Sequence, residues 1–220
     1  MIAYLLSDAD DVPADDGWLL PSELATLRDL TRPKRRADWR LGRWVAKHAV
    51  ARALMISPDI VEIRSAEDGA PSAWRDGDPL DAVISISHCG GTGLCAVSTP
   101  PLALGCDIER IEPRPAVFEE DWFTTSERDL VTAASPAEHD VLATMIWSAK
   151  ESALKAVRAG LRRDTRSVVV EVRDGEPSDA WQRLRIRDLE GPTLDGWWRR
   201  DGQLVITVAA ASMEAAPSAL

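Results

Sequence analysis

The segment LALGCDIER, residues 102–110, ends an apolar run with two carboxylates and decides how the second half of the chain folds. Alternate residues from Leu102 to Ile108 are apolar or cysteine, which is the period of a β-strand with one buried face. Asp107 and Glu109 lie two positions apart, so both carboxylates project from the other face of that strand. Taken alone, the pair is best explained as the solvated end of a strand.

The composition is that of a globular, acidic protein. The chain has 220 residues, of which 45% are hydrophobic, and a formal net charge of −10. This length allows one domain or two small ones, and the acidic balance argues against nucleic-acid binding through a basic surface. No apolar run could cross a bilayer and no secretory signal begins the chain, so we expect a cytoplasmic protein without a membrane partner. The three cysteines form no CxxC pair, which predicts reduced thiols and no structural zinc site.

A cationic stripe marks the first long helix, which apolar periodicity predicts over residues 34–55. Four basic residues, spaced four, three and four positions apart, share one face of it: Arg36, Arg40, Arg43 and Lys47. No carboxylate compensates them on that stripe, and arginine suits phosphate oxygens. Phosphate binding and an ordinary solvated helix face explain the stripe equally well.

The clearest helix is predicted over residues 135–160, with Ser135 as its cap. Glu151 and Lys155 lie on its polar face at the i,i+4 spacing of an ordinary surface ion pair. Glu151 is also a candidate third carboxylate beside Asp107 and Glu109, and a set of hard oxygen ligands favours Mg²⁺. By itself the helix does not decide between the two interpretations.

Two further segments bear on function and organisation. In SISHCGGTG, residues 85–93, a glycine-rich turn follows Ser87 and His88 at a strand end, and backbone amides of such a turn can hold an anion. A lone histidine there is more often structural.

The segment TPP, residues 99–101, predicts a hinge between lobes at 1–101 and 102–212, and we expect 213–220 to be a loose tail.

Taken together, SISHCGG, LGCDIER and WSAKESALKA resemble, in this order, the 4′-phosphopantetheinyl transferases of the surfactin-synthetase type. Upstream, RRADWRLGRWVAK resembles the family's first basic helix and EDGAPSAW its Gly-x-Pro loop. The resemblance implies an α/β (α+β) fold of two similar lobes in a pseudo-two-fold arrangement, each a small, mostly antiparallel sheet packed with a long helix. It also implies an enzyme that transfers the 4′-phosphopantetheine arm of coenzyme A to a serine of an apo acyl or peptidyl carrier protein, releasing 3′,5′-ADP.

The resemblance also implies roles for individual residues. The family's ligands for Mg²⁺, which Mn²⁺ could replace, correspond to Asp107, Glu109 and Glu151. The positions that meet coenzyme A correspond to Arg36, Arg43, Gly69, Pro71, Ser87, His88, Lys150 and Lys155. Either Glu151 or Glu127 would accept the serine proton, and Lys155 would stabilise or protonate the departing 3′,5′-ADP. An acidic carrier would need a basic docking patch, for which the candidates are Arg158, Arg162, Arg163 and Arg166.

One departure from the family pattern leaves alternatives open. Ala70 stands where many members carry a lysine in the Gly-x-Pro loop, which puts the affinity for coenzyme A in doubt. A non-catalytic homologue that binds coenzyme A or a carrier is therefore one alternative, and an Mg²⁺-dependent phosphodiesterase is another. We expect a monomer. Fatty-acid, polyketide and nonribosomal-peptide carriers all remain open.

Overall fold

Five α-helices and twelve β-strands are present in the computed structural model, which describes residues 1–172 and 181–220. The helices are α1 (Pro21–Asp29), α2 (Pro33–Leu54), α3 (Ala116–Trp122), α4 (Thr125–Ala133) and α5 (Pro136–Ala156). The first six strands are β1 (Ile2–Asp8), β2 (Glu62–Ser65), β3 (Pro71–Arg75), β4 (Asp78–Pro79), β5 (Val83–Cys89) and β6 (Thr92–Ser98). The others are β7 (Leu104–Arg110), β8 (Val168–Val172), β9 (Gln182–Asp188), β10 (Leu194–Asp201), β11 (Leu204–Ala210) and β12 (Ser218–Ala219). This content confirms the predicted mixture of helices and antiparallel sheets.

The chain divides into two units between Leu102 and Ala103, and residues 217–220 belong to the first of them. In unit 1 a four-stranded sheet has the order β12-β1-β6-β5, and β2, β3 and β4 form a separate sheet. Helix α2 packs on β6, β1 and β5. The apolar residues of α2 recur at helical spacing, so that Val45, Ala46 and Ala49 are fully buried against the sheet.

Unit 2, residues 103–216, repeats this plan with one larger sheet. Its strand order is β7-β11-β10-β9-β8, and every neighbouring pair is antiparallel. Helix α5 packs mainly on β7 and β11 and buries Met145, Ile146 and Ala149. In each unit the first strand pairs with the last strand of a hairpin, β1 with β6 and β7 with β11, and two helices follow the first strand after a loop or a short helix.

The end of the chain differs from expectation. We predicted a loose tail over 213–220, but Met213 is buried and β12 pairs in parallel with β1. The amide of Leu220 donates to the carbonyl of Tyr4, and the guanidinium of Arg52 donates to the carbonyl of Leu220. The prediction failed because the segment EAAPSAL carries no pattern of its own and is ordered by an existing sheet edge.

No helix within residues 1–172 and 181–220 combines the length and the hydrophobicity that a bilayer crossing requires.

Candidate active site

A close approach of strand β7 to helix α5 positions the two carboxylates of the LGCDIER segment. A Cβ atom added to Gly105 would lie 1.8 Å from the carbonyl oxygen of Ser152, so only glycine allows this contact. Asp107 and Glu109 follow Gly105 on the same face of β7 and therefore also face α5. Helix α5 thus covers the face of β7 that carries both carboxylates.

Lys155 joins the carboxylates of the strand to those of the helix. Its Nζ lies 2.7 Å from Asp107 Oδ1, 3.8 Å from Glu151 Oε2, and 3.1 Å from the carbonyl oxygen of Cys106. Burial disfavours the charged ammonium, but the charges of Asp107, Cys106 and Glu151 and the hydrogen bond to Asp107 together outweigh it, and the pKa of Lys155 is raised. The ion pair expected between Glu151 and Lys155 is thus one edge of a larger cluster.

Glu109 is held by two side chains that the sequence analysis did not select. The indole N–H of Trp147 donates to Glu109 Oε1 at 3.1 Å, and Nη2 of Arg114 lies 3.6 Å from Oε2. The ring of Trp147 packs edge-on against Phe118 and Trp122, with centroid distances of 5.0 and 5.6 Å. Trp147 lies within a motif that we had quoted, whereas Arg114 gave no signal in the sequence.

Three carboxylates at one place affect one another's protonation. Burial, followed by the charge of Asp107, raises the pKa of Glu109. Burial and then the charges of Asp107 and Glu109 raise the pKa of Glu151 to about 7, against a lowering by Lys155. The cluster therefore holds more negative charge than Lys155 alone neutralises.

The donor set fits a hard divalent cation, because all three side chains offer carboxylate oxygens and their charge is incompletely balanced. In the part of the chain that the structure describes, no three His, Cys, Asp or Glu side chains are already arranged around a single metal position. Lys155 lies between Asp107 and Glu151 instead. Binding of a cation would require the ammonium group to move.

A hydroxyl network fixes α5 over the sheet beside this cluster. The hydroxyl of Thr207 on β11 lies 2.9 Å from that of Ser148 and 2.6 Å from that of Ser152. Thr207 is the register partner of Asp107 and is buried. Ser148 and Ser152 of α5 are therefore both held to β11 through their hydroxyl groups.

Glu127 and Lys150 lie apart from the carboxylate cluster and pair with each other. Their side chains are 1% and 0% exposed, and Lys150 Nζ lies 2.9 Å from Glu127 Oε2. Lys150 also donates to the carbonyl of Thr165. Burial of this kind gives a bound substrate no access to either group, so the structure does not support Lys150 as a phosphate contact or Glu127 as a base.

In unit 1 the basic stripe is partly neutralised, contrary to expectation. Arg36 and Arg40 each lie 3.0 Å from a different carboxylate oxygen of Asp16, which belongs to the loop before α1. Arg36 also donates to the carbonyl of Leu27. Asp16 lies outside α2, so the residues of the helix alone do not reveal this partner.

Arg43 meets the predicted Gly-x-Pro loop. Its guanidinium stacks on Trp39 at 4.6 Å from the ring centroid and lies 3.4 Å from Ser65 Oγ. Ser65 is the register partner of Pro71, and Gly69 forms the turn between β2 and β3 with φ of 87°. Burial lowers the pKa of Arg43. The structure thus brings Arg43 to the hairpin end that carries Gly69 and Pro71.

Ser87 and His88 lie at the end of β5, opposite Leu94 and Gly93 of β6. His88 is exposed and Ser87 is half-buried. Gly90 and Gly91 have positive φ values in the turn that follows, as the glycine-rich pattern predicts.

The basic docking patch is weaker than its sequence suggests. Arg163 pairs with Asp188 and lies 3.1 Å from Glu190, and Arg166 lies 2.9 Å from Asp164. Arg163 and Arg166 therefore each have a carboxylate partner within unit 2.

Two family models match the chain. Residues 103–209 match the 4′-phosphopantetheinyl transferase superfamily, and residues 25–98 match the 4′-phosphopantetheinyl transferase N-terminal domain. The first match contains the whole carboxylate cluster, and the second contains Arg43 and the loop with Gly69 and Pro71.

Curated relatives carry related names. A 4′-phosphopantetheinyl transferase of Bacillus subtilis is 26% identical over 171 residues, which cover 78% of this chain and 72% of that protein. Enterobactin synthase component D of Escherichia coli O157:H7 is 34% identical, with coverage of 56% and 55%. L-aminoadipate-semialdehyde dehydrogenase-phosphopantetheinyl transferase of Schizosaccharomyces pombe is 28% identical, with coverage of 57% and 54%. The chain thus spans about half the length of the last two relatives.

Proposed function

The chain belongs to the 4′-phosphopantetheinyl transferase superfamily, and we propose that it transfers the 4′-phosphopantetheine arm of coenzyme A to a serine of an apo acyl or peptidyl carrier protein. The names of the relatives support this activity. The observation that carries the proposal is the convergence of Asp107 and Glu109 from β7 with Glu151 and Lys155 from α5. Phosphoryl transfer needs such a concentration of charged groups because its catalysis consists mainly of positioning and charge stabilisation.

Asp107, Glu109 and Glu151 would hold Mg²⁺, for which their oxygen donors are suited. When bound, the cation would neutralise charge on the pyrophosphate of coenzyme A. Lys155 would then leave the carboxylates and donate to the phosphate oxygens. Trp147 and Arg114 would keep Glu109 oriented throughout, because each contacts one of its oxygens.

Glu151 is the base in this proposal. Its side chain is 21% exposed, in contrast to the 1% of Glu127, so a serine hydroxyl can reach its carboxylate for proton transfer. The serine oxygen forms a bond to the phosphorus nearest the pantetheine arm, and its proton passes to Glu151. The bond from that phosphorus to the bridging oxygen breaks, and 3′,5′-ADP leaves with that oxygen beside Lys155.

Unit 1 would bind the nucleotide end of coenzyme A. Arg43 is favoured for its 3′-phosphate, since its guanidinium lies at the hairpin of Gly69 and Pro71. Arg36 is paired with Asp16, so its guanidinium could contact the phosphate only if it bonded to both groups. Ser87 and His88 remain predicted contacts. A monomer in the cytoplasm, without nucleic-acid or membrane partners, stays our expectation.

The test is the intact mass of apo carrier proteins incubated with this protein, Mg²⁺ and coenzyme A. We expect a gain of one phosphopantetheine, which a chelator and Asp107→Asn abolish and which the exposed control Asp129→Asn preserves. Fatty-acid, polyketide and peptide carriers are tested in parallel. Coenzyme A binding without transfer to any of them would favour the non-catalytic alternative. Phosphodiester cleavage without a carrier would favour the phosphodiesterase.

A further inference from the structure

The buried pair of Glu127 and Lys150 ties three elements of unit 2 together. Glu127 is the third residue of α4, where Oε2 accepts from the amide of Thr124 at 2.8 Å and thereby closes a capping box. Its other oxygen accepts from the amide of Val170 on β8 at 2.8 Å. Lys150 supplies the countercharge from α5. One carboxylate thus joins the start of α4, the middle of α5 and strand β8.

Unit 1 contains the same arrangement. Glu23 is the third residue of α1, and its Oε2 accepts from the amide of Leu20 at 2.9 Å. Its Oε1 accepts from the amide of Ile63 on β2 at 3.0 Å, and Lys47 of α2 donates to its Oε2 at 3.0 Å. Both members of this pair are 2% exposed. Each contact has its counterpart in unit 2.

The sequence positions correspond as well as the contacts do. Lys47 follows the first residue of α2, Pro33, by 14 positions, and Lys150 follows the first residue of α5, Pro136, by the same 14. Such agreement in helix position, capping role and strand partner identifies the two pairs as equivalent parts of a repeated unit.

The reactive groups do not follow this repetition. By the same numbering along the helices, Glu151 corresponds to His48 and Lys155 to Arg52. The fourth residue of β7 is Asp107, whereas the fourth residue of β1 is Leu5. Unit 1 therefore keeps the Glu–Lys pair where it has no counterpart of the carboxylate cluster.

We infer that Glu127 and Lys150 are a structural pair, which joins α4, α5 and β8 within unit 2, and that Glu127 takes no proton from the substrate. A group needed only for chemistry would have no reason to recur in the unit that lacks the chemistry. The hydrogen bonds of Glu127 to Thr124 and Val170 also occupy both of its oxygens. The pair of Glu23 and Lys47 is the matched internal control for this role.

Two double variants test the inference: Glu127→Gln with Lys150→Met, and Glu23→Gln with Lys47→Met. Each double variant removes both charges of a buried ion pair. This costs less stability than removing one charge, because no buried charge is left without a partner. We expect both proteins to fold, as judged by circular dichroism. Both should keep kcat within about threefold of the wild type and an unchanged pH profile of kcat/KM. Loss of a general base costs on the order of 100-fold or more.

The single variants Glu127→Gln and Glu23→Gln supply a second measurement, because each leaves a buried lysine without its partner. We expect Tm to fall by roughly 10 °C in both. A folded Glu127 variant that loses at least 100-fold in kcat, while the Glu23 variant does not, would overturn the inference. Unequal folding of the two double variants, or unequal melting of the two single ones, would overturn the equivalence of the pairs.

The kinetic part of this test rests on the proposed function, whereas the unfolding part does not. If the wild type modifies no carrier, the proposed function fails, and matched losses of Tm still support the repeated pair. If the wild type is active and the Glu127 variants alone lose turnover, the inference fails and the proposed function stands.

Discussion

Glu151 gives the metal-free protein a pH dependence that can be derived at the scale of one residue. Its pKa is about 7 in the folded chain, against 4.5 for an ordinary glutamate. Between these values the folded protein retains a proton that the unfolded chain releases, so stability is lost as the pH rises through this window. One pKa unit corresponds to about 1.4 kcal/mol.

We therefore expect the free energy of unfolding, without divalent cations, to fall between pH 4.5 and 7 by up to about 3 kcal/mol more in the wild type than in Glu151→Gln. Urea unfolding at several pH values measures the free energy of unfolding of each protein. Subtracting one pH curve from the other removes the contribution of titratable groups that both proteins contain. Parallel pH curves for the two proteins would show that the cluster does not perturb Glu151.

Trp147 provides a second prediction at this scale. Its indole N–H donates to Glu109, and Trp122 packs against the ring of Trp147 in the same aromatic group. We expect Trp147→Phe to weaken Mn²⁺ binding by roughly tenfold, since outer contacts of this kind orient metal ligands. Trp122→Phe should leave the affinity unchanged. Calorimetric titration measures both, and equal losses would mean that packing, not the hydrogen bond, matters.

At the scale of elements, the contact between β7 and α5 depends on Gly105. An added Cβ would lie 1.8 Å from Ser152 O and 2.7 Å from Ala156 N. Both are backbone atoms, so no side-chain rotation could relieve the clash. We expect Gly105→Ala to cost at least about 3 kcal/mol of unfolding free energy or to prevent folding.

Gly42→Ala is the matched control for that substitution. Gly42 lies inside α2, and an added Cβ would come no closer than 3.4 Å to Ile86 Cγ2. We expect this variant to be neutral or slightly stabilised, because alanine favours a helix interior. Denaturant unfolding compares the two, and a well-folded Gly105→Ala protein would contradict the close approach.

The elements that periodicity defines were predictable, and the contacts between distant segments were not. Helix α2 was predicted over 34–55 and lies at Pro33–Leu54, because its apolar residues repeat at helical spacing. The convergence of β7 and α5 was one of two open interpretations until the resemblance favoured it, since no local pattern encodes which strand a helix covers.

Two of the predicted coenzyme A contacts, Lys150 and Arg36, have carboxylate partners in the structure, and for different physical reasons the sequence analysis did not anticipate them. Lys150 and Lys155 are five residues apart, so they lie about 140° from each other around α5 and cannot serve one site. The sequence held that information. The pairing of Arg36 with Asp16 depends on the course of the loop before α1, which the residues of α2 do not specify.

At the scale of the whole molecule, unit 1 is built from both ends of the sequence. Residues 217–220 follow unit 2 along the chain but belong to unit 1. We expect deletion of these residues to destabilise unit 1 by about 2 kcal/mol, through loss of β12 and of the packing of Leu220. Hydrogen exchange should accelerate in β1 and β6 but not in β7 and β11. Equal acceleration of hydrogen exchange in both units would contradict the expectation that the deletion destabilises unit 1 alone.

The hydrogen bond between Trp147 and Glu109 also gives the protein an optical signal of its own. Indole emission responds to the charge of a directly bonded neighbour, and this neighbour belongs to the cluster that would bind a cation. Titration of the unlabelled protein with Mg²⁺ should therefore change its fluorescence. The change should disappear in Trp147→Phe, although eight other tryptophans remain in that variant. Ligand occupancy could then be followed in real time, without a carrier protein or a labelled coenzyme.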